Sequence, residues 1–238
     1  MATFVLVHGA WGGAHGWRKV RPLLTHRGHE VFTPSLTGIG ERSHLTGPHV
    51  DLSVHIDDVV NTILYEDLDE IVLLGFSYGG MVVTGALEYI ADRVSQLVFL
   101  DALVPADGDS ANSLIGLSRA EAGLGQPWLI PPIARQLDDP EETEWSNMRR
   151  SPQPTRTFSE PVSLSQPLES YGFGLTYIKA VIDADENGRP SPFAEVGARL
   201  KAAPQWSYHQ IDTNHMIPQN RPVELAEILL GLVHEPGQ

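Results

Sequence analysis

The sequence predicts an α/β fold in which a mostly parallel sheet of about six strands is covered by helices on both faces. Two observations lead to this prediction. Short β-rich runs alternate with segments of helical periodicity along most of the chain, and such alternation is typical of parallel strands joined by crossover helices. Residues 96–100 (QLVFL) are apolar without interruption, as expected for a strand that is covered on both faces.

The individual elements follow from apolar runs, helical spacing and turn residues. Strands are predicted at residues 3–8, 31–36, 70–76, 96–100, 175–182 and 206–211. Helices are predicted at residues 17–27, 54–65, 80–91, about 193–201, and 223–233. In the second helix Ile56, Val59, Val60 and Ile63 share one face, and Ser53 precedes it as the expected N-cap.

Residues 104–170 interrupt this alternation. They hold many of the 18 prolines of the chain and show no clear strand. A loop of that length inside a compact domain is usually functional or disordered. We therefore predict a core formed by residues 1–103 and 171–238, with residues 104–170 inserted as a small helical cap.

The cysteine content and the net charge exclude several classes of protein. The 238 residues include no cysteine and carry a formal net charge of −14. Without cysteine, a disulfide framework and thiolate metal sites are excluded, and we expect neither a metal nor a cofactor. The acidic balance disfavours nucleic acid and anionic membranes as partners. No apolar run approaches the ~18 residues of a membrane span, and the start MATFVLVHG lacks signal-peptide features, which predicts a cytoplasmic protein. The oligomeric state is left open, a homodimer included.

One motif carries a specific chemical hypothesis. Residues 75–79 (GFSYG) match G-x-S-x-G between a predicted strand and a predicted helix. A sharp strand-to-helix turn of this kind exposes the central serine, here Ser77, and requires small neighbours so that the turn can close. The alternative is that Ser77 only caps the following helix. A serine hydroxyl is a weak nucleophile by itself and needs a nearby base.

Several segments together resemble the α/β hydrolases. Within that superfamily the chain is similar to the small esterase and hydroxynitrile-lyase branch, which includes plant methyl-ester esterases and their bacterial relatives. The segments that carry the resemblance are FVLVHGAWGGAHGW (4–17), PSLTGIGERSHL (34–45), GFSYGGMVVTG (75–85), FLDALVP (99–105) and TNHMIP (213–218). Phe76 stands where a histidine often precedes the serine, and we expect it to alter packing behind the strand.

The resemblance implies a set of site residues. Ser77 becomes the nucleophile, and His215, on the loop after the last strand, becomes its base. The backbone amides of Ala10 and Tyr78 become the oxyanion hole, and His8 is expected to shape the loop that contains Ala10.

The acid of the triad stays open between two aspartates. Asp183 ends the penultimate predicted strand, where the superfamily usually keeps its aspartate. Asp101, in FLDALVP, matches a position that bacterial relatives of this branch use instead. Either carboxylate can orient the imidazole and stabilise its protonated form. The residues favour Asp183 slightly.

The same resemblance predicts the reaction: hydrolysis of small carboxylic esters, short-chain or aromatic, through an acyl-enzyme. Hydroxynitrile lyases of this branch have a threonine where this chain has Gly9 and a lysine where it has Met216, so lyase activity of that kind is disfavoured. Trp11 and Trp128 are candidate substrate-binding residues. The alternatives are a ligand-binding receptor and a cofactor-independent lyase or cyclase of secondary metabolism, because the fold hosts many chemistries.

Overall fold

A computed structural model describes residues 1–116, 128–182 and 191–233. In chain order, the strands of this part are β1 (Thr3–Val7), β2 (Glu30–Phe32), β3 (Ile71–Phe76), β4 (Val94–Leu100), β5 (Leu129–Ile130), β6 (Gln153–Pro154), β7 (Gly174–Ala180) and β8 (Trp206–Ile211). The helices are α1 (Val20–Thr25), α2 (Leu52–Tyr65), α3 (Gly79–Ile90), α4 (Ala111–Ile115), α5 (Pro140–Asn147), α6 (Arg156–Ser159), α7 (Ala194–Lys201), α8 (Ile217–Asn220) and α9 (Pro222–Gly231).

Six strands form one parallel sheet in the order β2-β1-β3-β4-β7-β8. The predicted fold class is therefore confirmed. Because all six strands are parallel, their carboxyl ends share one edge of the sheet, and residues that follow β1, β3, β4 and β8 are brought together there. Open α/β sheets bind their ligands at this edge.

Helices cover both faces of the sheet, and the side chains of each central strand alternate between them. Val5 and Val7 of β1 belong to the apolar cluster that also contains residues of α2 and α3. Phe4 and Leu6 belong to the opposite cluster, together with residues of α1 and α9. All four of these side chains are fully buried. Such strands read as unbroken apolar runs, as the sequence showed.

Several element boundaries differ from prediction by a few residues, and for two of them the reason is identifiable. Strand β2 ends at Phe32 rather than at residue 36, since Pro34 has no amide hydrogen to donate to a neighbouring strand. Helix α2 begins two residues early, and Asp51 is its N-cap, accepting from the Val54 amide at 3.2 Å. The expectation that Ser53 is the cap was wrong, because its amide and hydroxyl both bind Glu160 instead.

Residues 104–170, called the cap segment below, hold α4, α5, α6 and the antiparallel β5–β6 pair. The segment touches the loop that follows β1 (residues 8–17, the β1 loop): the Ser151 amide donates to the Trp11 carbonyl at 3.0 Å. Its standing as a domain separate from the core stays a prediction. No helix of the described ranges has the length and apolar character needed to cross a membrane.

Candidate active site

Ser77 lies at the turn between β3 and α3. Its φ is +57°, a left-handed conformation that costs free energy in a residue with a side chain and that recurs at functional sites. The turn is held from outside, because the Ser77 amide donates to the Leu100 carbonyl at 3.2 Å and its carbonyl accepts from the Leu103 amide at 3.1 Å. The Ser77 hydroxyl does not cap α3, whose N-cap is Tyr78 without a side-chain hydrogen bond. The helix-cap alternative is therefore not supported by the geometry.

Close packing explains the glycines around Ser77. A Cβ on Gly75 would lie 2.7 Å from the Gly79 carbonyl oxygen, and one on Gly79 would lie 2.8 Å from the Val7 carbonyl oxygen. Both distances are shorter than carbon and oxygen tolerate without displacement. The glycine spacing thus permits β1, β3 and α3 to meet directly behind the serine.

A hydrogen-bonded chain links Ser77, His215 and Asp101. The Ser77 Oγ lies 3.0 Å from Nε2 of His215, and Nδ1 of the same imidazole lies 2.8 Å from Oδ2 of Asp101. Because a carboxylate only accepts hydrogen bonds, Nδ1 carries the hydrogen and Nε2 is left to accept from the serine hydroxyl. Asp183, the other candidate acid, lies outside the described residues.

Asp101 is almost fully enclosed, with an exposed fraction of 1%. Burial by itself raises the pKa of this carboxyl, but the hydrogen bond from His215 and the charge of Lys179 outweigh burial, so its pKa lies below the ordinary value. The Lys179 Nζ lies 2.9 Å from Asp101 Oδ1. Asp101 therefore stays ionised and able to stabilise a protonated imidazole.

The His215 imidazole is packed between aromatic side chains. The rings of Phe76 and Phe193 stack on it, each with a centroid distance of 4.8 Å. Burial lowers the pKa of His215, the contact with Asp101 opposes this, and the charges of Arg135 and Arg150 lower it further. A pKa below the ordinary histidine value keeps the imidazole neutral at neutral pH, the form in which it accepts a proton. Phe76 thus contacts the imidazole itself, beyond the packing role expected of it.

The two backbone amides expected in the oxyanion hole, those of Ala10 and Tyr78, make no hydrogen bond in the described part of the chain. Free, fixed N–H groups of this kind stabilise negative charge that develops on a substrate oxygen.

The β1 loop is braced by His8 and Gln153. The Leu36 amide donates to Nε2 of His8 at 3.1 Å, so Nδ1 carries the hydrogen and donates to the Gly9 carbonyl at 2.9 Å. Burial lowers the pKa of His8 to about 4, and the ring is neutral. From the cap segment, the fully buried Gln153 accepts from the Trp11 amide at 3.0 Å. Trp11 has a φ of +59°, a conformation that these contacts hold.

A second buried histidine, His55, forms a hydrogen bond with the Tyr78 hydroxyl. His55 donates from Nε2 to the Thr37 carbonyl at 2.8 Å, which leaves Nδ1 to accept from the Tyr78 hydroxyl at 3.0 Å. Burial lowers the pKa of His55 to about 3. On the cap side, the Tyr78 hydroxyl contacts Thr157, whose own hydroxyl accepts from Gln153 Nε2 at 2.7 Å. One buried polar network therefore contacts Tyr78 and, through Gln153, the amide of Trp11, the residue that follows Ala10.

The tryptophans named from the sequence lie in the cap interface. Trp11 is 6% exposed, donates from Nε1 to the Ile130 carbonyl and packs against Phe158. Trp128 is partly buried, and its carbonyl accepts from the Thr155 amide. A substrate-binding role for either residue stays a prediction.

Three contributors were missed by sequence reasoning: Lys179, Gln153 and Phe193. A lysine inside an otherwise apolar strand is a signal that would have found Lys179, because a buried cation needs a partner. No comparable local signal marks the other two. Across the parts of the chain that the structure describes, no three metal-ligating side chains of the His, Cys, Asp or Glu type cluster together.

Comparison with known proteins finds one matching family and several related proteins. A model of the alpha/beta hydrolase family matches residues 4–228. The carbendazim hydrolyzing esterase of Nocardioides sp. (strain SG-4G) is 37% identical over 98% of this chain and 100% of that protein. The alpha-hydroxynitrile lyase of Arabidopsis thaliana is 35% identical over 43% of this chain and 40% of that protein.

A solved structure agrees in fold. An extracellular α/β-hydrolase from a Paenibacillus species, described as sharing structural and functional homology with tobacco salicylic acid binding protein 2, superposes with a TM-score of 0.82 at 22% identity, covering 99% of this chain and 100% of that one. The chain belongs to the alpha/beta hydrolase family. Its full-length similarity to an esterase places it among the carboxylic ester hydrolases of that family.

Proposed function

We propose that the protein hydrolyses small carboxylic esters with Ser77 as nucleophile, His215 as general base and Asp101 as the acid of the triad. One observation carries the proposal: the continuous chain of contacts from Ser77 Oγ through both imidazole nitrogens to Asp101. A serine with a base within hydrogen-bond reach, and a base oriented by a third group, is the arrangement that nucleophilic catalysis requires.

The proposed reaction runs in two steps. His215 Nε2 takes the hydroxyl proton as Ser77 Oγ attacks the ester carbonyl carbon, and the Ala10 and Tyr78 amides bind the oxygen that becomes negative. His215 then gives the proton to the leaving alcohol, and an acyl-serine remains. A water molecule, deprotonated by the same imidazole, attacks the acyl carbon, and the acid is released as the proton returns to Ser77.

The substrate class proposed is small esters with a short-chain or aromatic group. Trp11 of the β1 loop packs against the cap segment, and aromatic rings favour flat or apolar groups. Relatives named for methyl esters and for carbendazim act on small molecules, and the proposal extends that size class to this chain. The cytoplasmic location predicted from the N-terminus stays a prediction.

Replacing the nucleophile tests the proposal. Ser77→Ala is expected to lower kcat for p-nitrophenyl acetate by about 10³-fold or more, because a triad acts as a unit. Ser207→Ala, an exposed serine on β8, is the matched control and should retain wild-type turnover. A fluorophosphonate probe should add its mass to Ser77 in the wild type and leave Ser77→Ala unlabelled. Near-wild-type hydrolysis by Ser77→Ala would overturn the assignment.

A further inference from the structure

A small cavity lies against the β1 loop, and its wall includes Ala10 of the proposed oxyanion hole. Its volume is about 40 Å³. Three segments line it: the β1 loop, the end of α5 with the residues after it, and the start of α8. Phe76 and Met216, the direct chain neighbours of Ser77 and His215, also form part of its wall. Gly9, also in the wall, packs against the Ser77 side chain, since a Cβ on Gly9 would lie 2.8 Å from Ser77 Cβ. A group bound in the cavity would therefore lie near the proposed nucleophile.

The cavity contains an unpaired cation. Arg150 lines it and is partly buried, and its guanidinium has no carboxylate or other hydrogen-bond acceptor within the described residues. The contact of its guanidinium within that part of the chain is the Trp11 ring, 5.8 Å away. Elsewhere, Arg18 and Arg221 are paired with glutamate or aspartate. Burial and the charge of Arg135 lower the pKa of Arg150 to about 10, so it is still charged at neutral pH.

No negative charge in the cavity wall offsets that cation. The wall contains no aspartate or glutamate. His8 is neutral, and His15 is paired with Glu41 at 3.3 Å. In a chain with a net charge of −14, a cavity wall with a cation and no carboxylate is unusual. A buried cation without a counter-ion is costly, and an anionic ligand would remove that cost.

The volume of the cavity is sufficient for a carboxylate. About 40 Å³ accommodates roughly three water-sized atoms, and a carboxylate has three heavy atoms. Trp17 also lines the cavity, and its Nε1 is a buried donor with no acceptor in the part of the chain that the structure describes. Arginine is the side chain best suited to carboxylate recognition because its donors match both oxygens.

We propose that this cavity is a carboxylate subsite, in which Arg150 binds a free carboxylate carried by the ester substrate. The preferred substrates are then half-esters of small dicarboxylic acids. This inference rests on the proposed esterase function and adds the chemical class of its substrate.

The test compares charged and neutral esters of the same chain length. We measure kcat/KM for monomethyl succinate and monomethyl glutarate against the corresponding dimethyl esters. The wild type should prefer a half-ester by about tenfold or more, and Arg150→Gln should lower that preference by about 10- to 100-fold, since hydrogen bonds to charged groups are the strong ones. Arg150→Lys should retain part of it. Arg149→Gln, which removes the exposed neighbouring arginine, should leave the preference unchanged.

Calorimetry separates failure of the subsite from failure of the esterase proposal. Ser77→Ala, otherwise intact, is titrated with monomethyl glutarate and with dimethyl glutarate. Selective binding of the half-ester that is lost in Ser77→Ala/Arg150→Gln supports the subsite even if no ester is hydrolysed. Equal kcat/KM for charged and neutral esters in the wild type overturns the subsite. So does an equal loss for both esters in Arg150→Gln, or no half-ester binding by Ser77→Ala, which would leave water as the occupant.

Discussion

Asp101→Asn is the sharpest perturbation of the proposed triad. The side chain accepts from three groups: His215 Nδ1 at 2.8 Å, Lys179 Nζ at 2.9 Å and the Ala180 amide at 3.3 Å. An asparagine amide group facing Nδ1 would favour the tautomer that carries its hydrogen on Nε2. In that tautomer His215 has no lone pair with which to accept the Ser77 proton. The change therefore removes the base while leaving the serine in place.

Two magnitudes follow from these contacts. The corresponding replacement in serine proteases lowers kcat by about 10⁴-fold, and we expect a loss of ~10³- to 10⁴-fold here. Stability falls as well, because Lys179 is 3% exposed and would keep its charge after losing the Asp101 carboxylate. Breaking a buried pair in this way costs about 3–5 kcal/mol.

Two assays distinguish these effects. We measure kcat/KM for p-nitrophenyl acetate and the free energy of unfolding in urea for Asp101→Asn and for Asp101→Asn/Lys179→Met. The double variant removes both charges of this pair, so it should recover part of the lost stability and none of the lost activity. A folded Asp101→Asn with activity within tenfold of wild type would refute Asp101 as the acid and leave Asp183 as the candidate.

Three further predictions follow from the buried network. Gln153→Met removes the acceptor of the Trp11 amide and should lower kcat by about 10- to 100-fold through a misplaced β1 loop. Tyr78→Phe leaves His55 Nδ1 without its donor and should lower the free energy of unfolding by about 1–3 kcal/mol. The pKa values of His8 and His55 are lowered from 6.5 to about 4 and about 3, so below pH 6.5 the unfolded chain binds more protons than the folded one. The free energy of unfolding, measured in urea, should therefore fall by roughly 4 kcal/mol between pH 7.5 and 5.0 from His8 and His55 together.

Each of these three predictions has a control variant. Gln136→Met alters another glutamine of the cap segment and should leave kcat unchanged. An unchanged kcat in Gln153→Met would contradict a role of Gln153 in holding the β1 loop. Tyr65→Phe changes an exposed tyrosine at the end of α2 and should not alter unfolding. His49→Asn replaces an exposed histidine and should leave the pH dependence of stability as in wild type. A stability that is constant from pH 7.5 to 5.0 would contradict the titration argument.

Local chemistry explains why part of the site was predictable. The turn around Ser77 requires glycines at fixed spacing, and these glycines lie within a few residues of the serine in the sequence. His215 follows the last strand, so its position on the carboxyl edge of the sheet follows from strand order. The aspartates were harder to separate, because Asp101 and Asp183 follow β4 and β7, which are neighbours in the sheet. Their distances to the imidazole depend on loop geometry that periodicity does not specify.

The remaining contributors depend on contacts between distant parts of the chain. Gln153 meets Trp11 across 142 residues, and Phe193 reaches His215 from the residue before α7. Neither side chain belongs to a motif, and both positions follow from how the cap segment and α7 pack. The helix boundaries show the same limit on a smaller scale, since Asp51 and Ser53 are both good N-caps and the competing partner of Ser53, Glu160, lies 107 residues away.

The contact between Gln153 and the Trp11 amide has a consequence for engineering. The cap segment supplies the acceptor of the Trp11 amide in the β1 loop, so a change made in that segment to alter selectivity is expected to alter turnover as well. Grafting the corresponding insertion from a relative would import new recognition and, unless it supplied an equivalent amide acceptor at this position, weaken catalysis at the same time. Directed changes of selectivity should therefore begin with side chains that leave Gln153 and its neighbours in the buried network untouched.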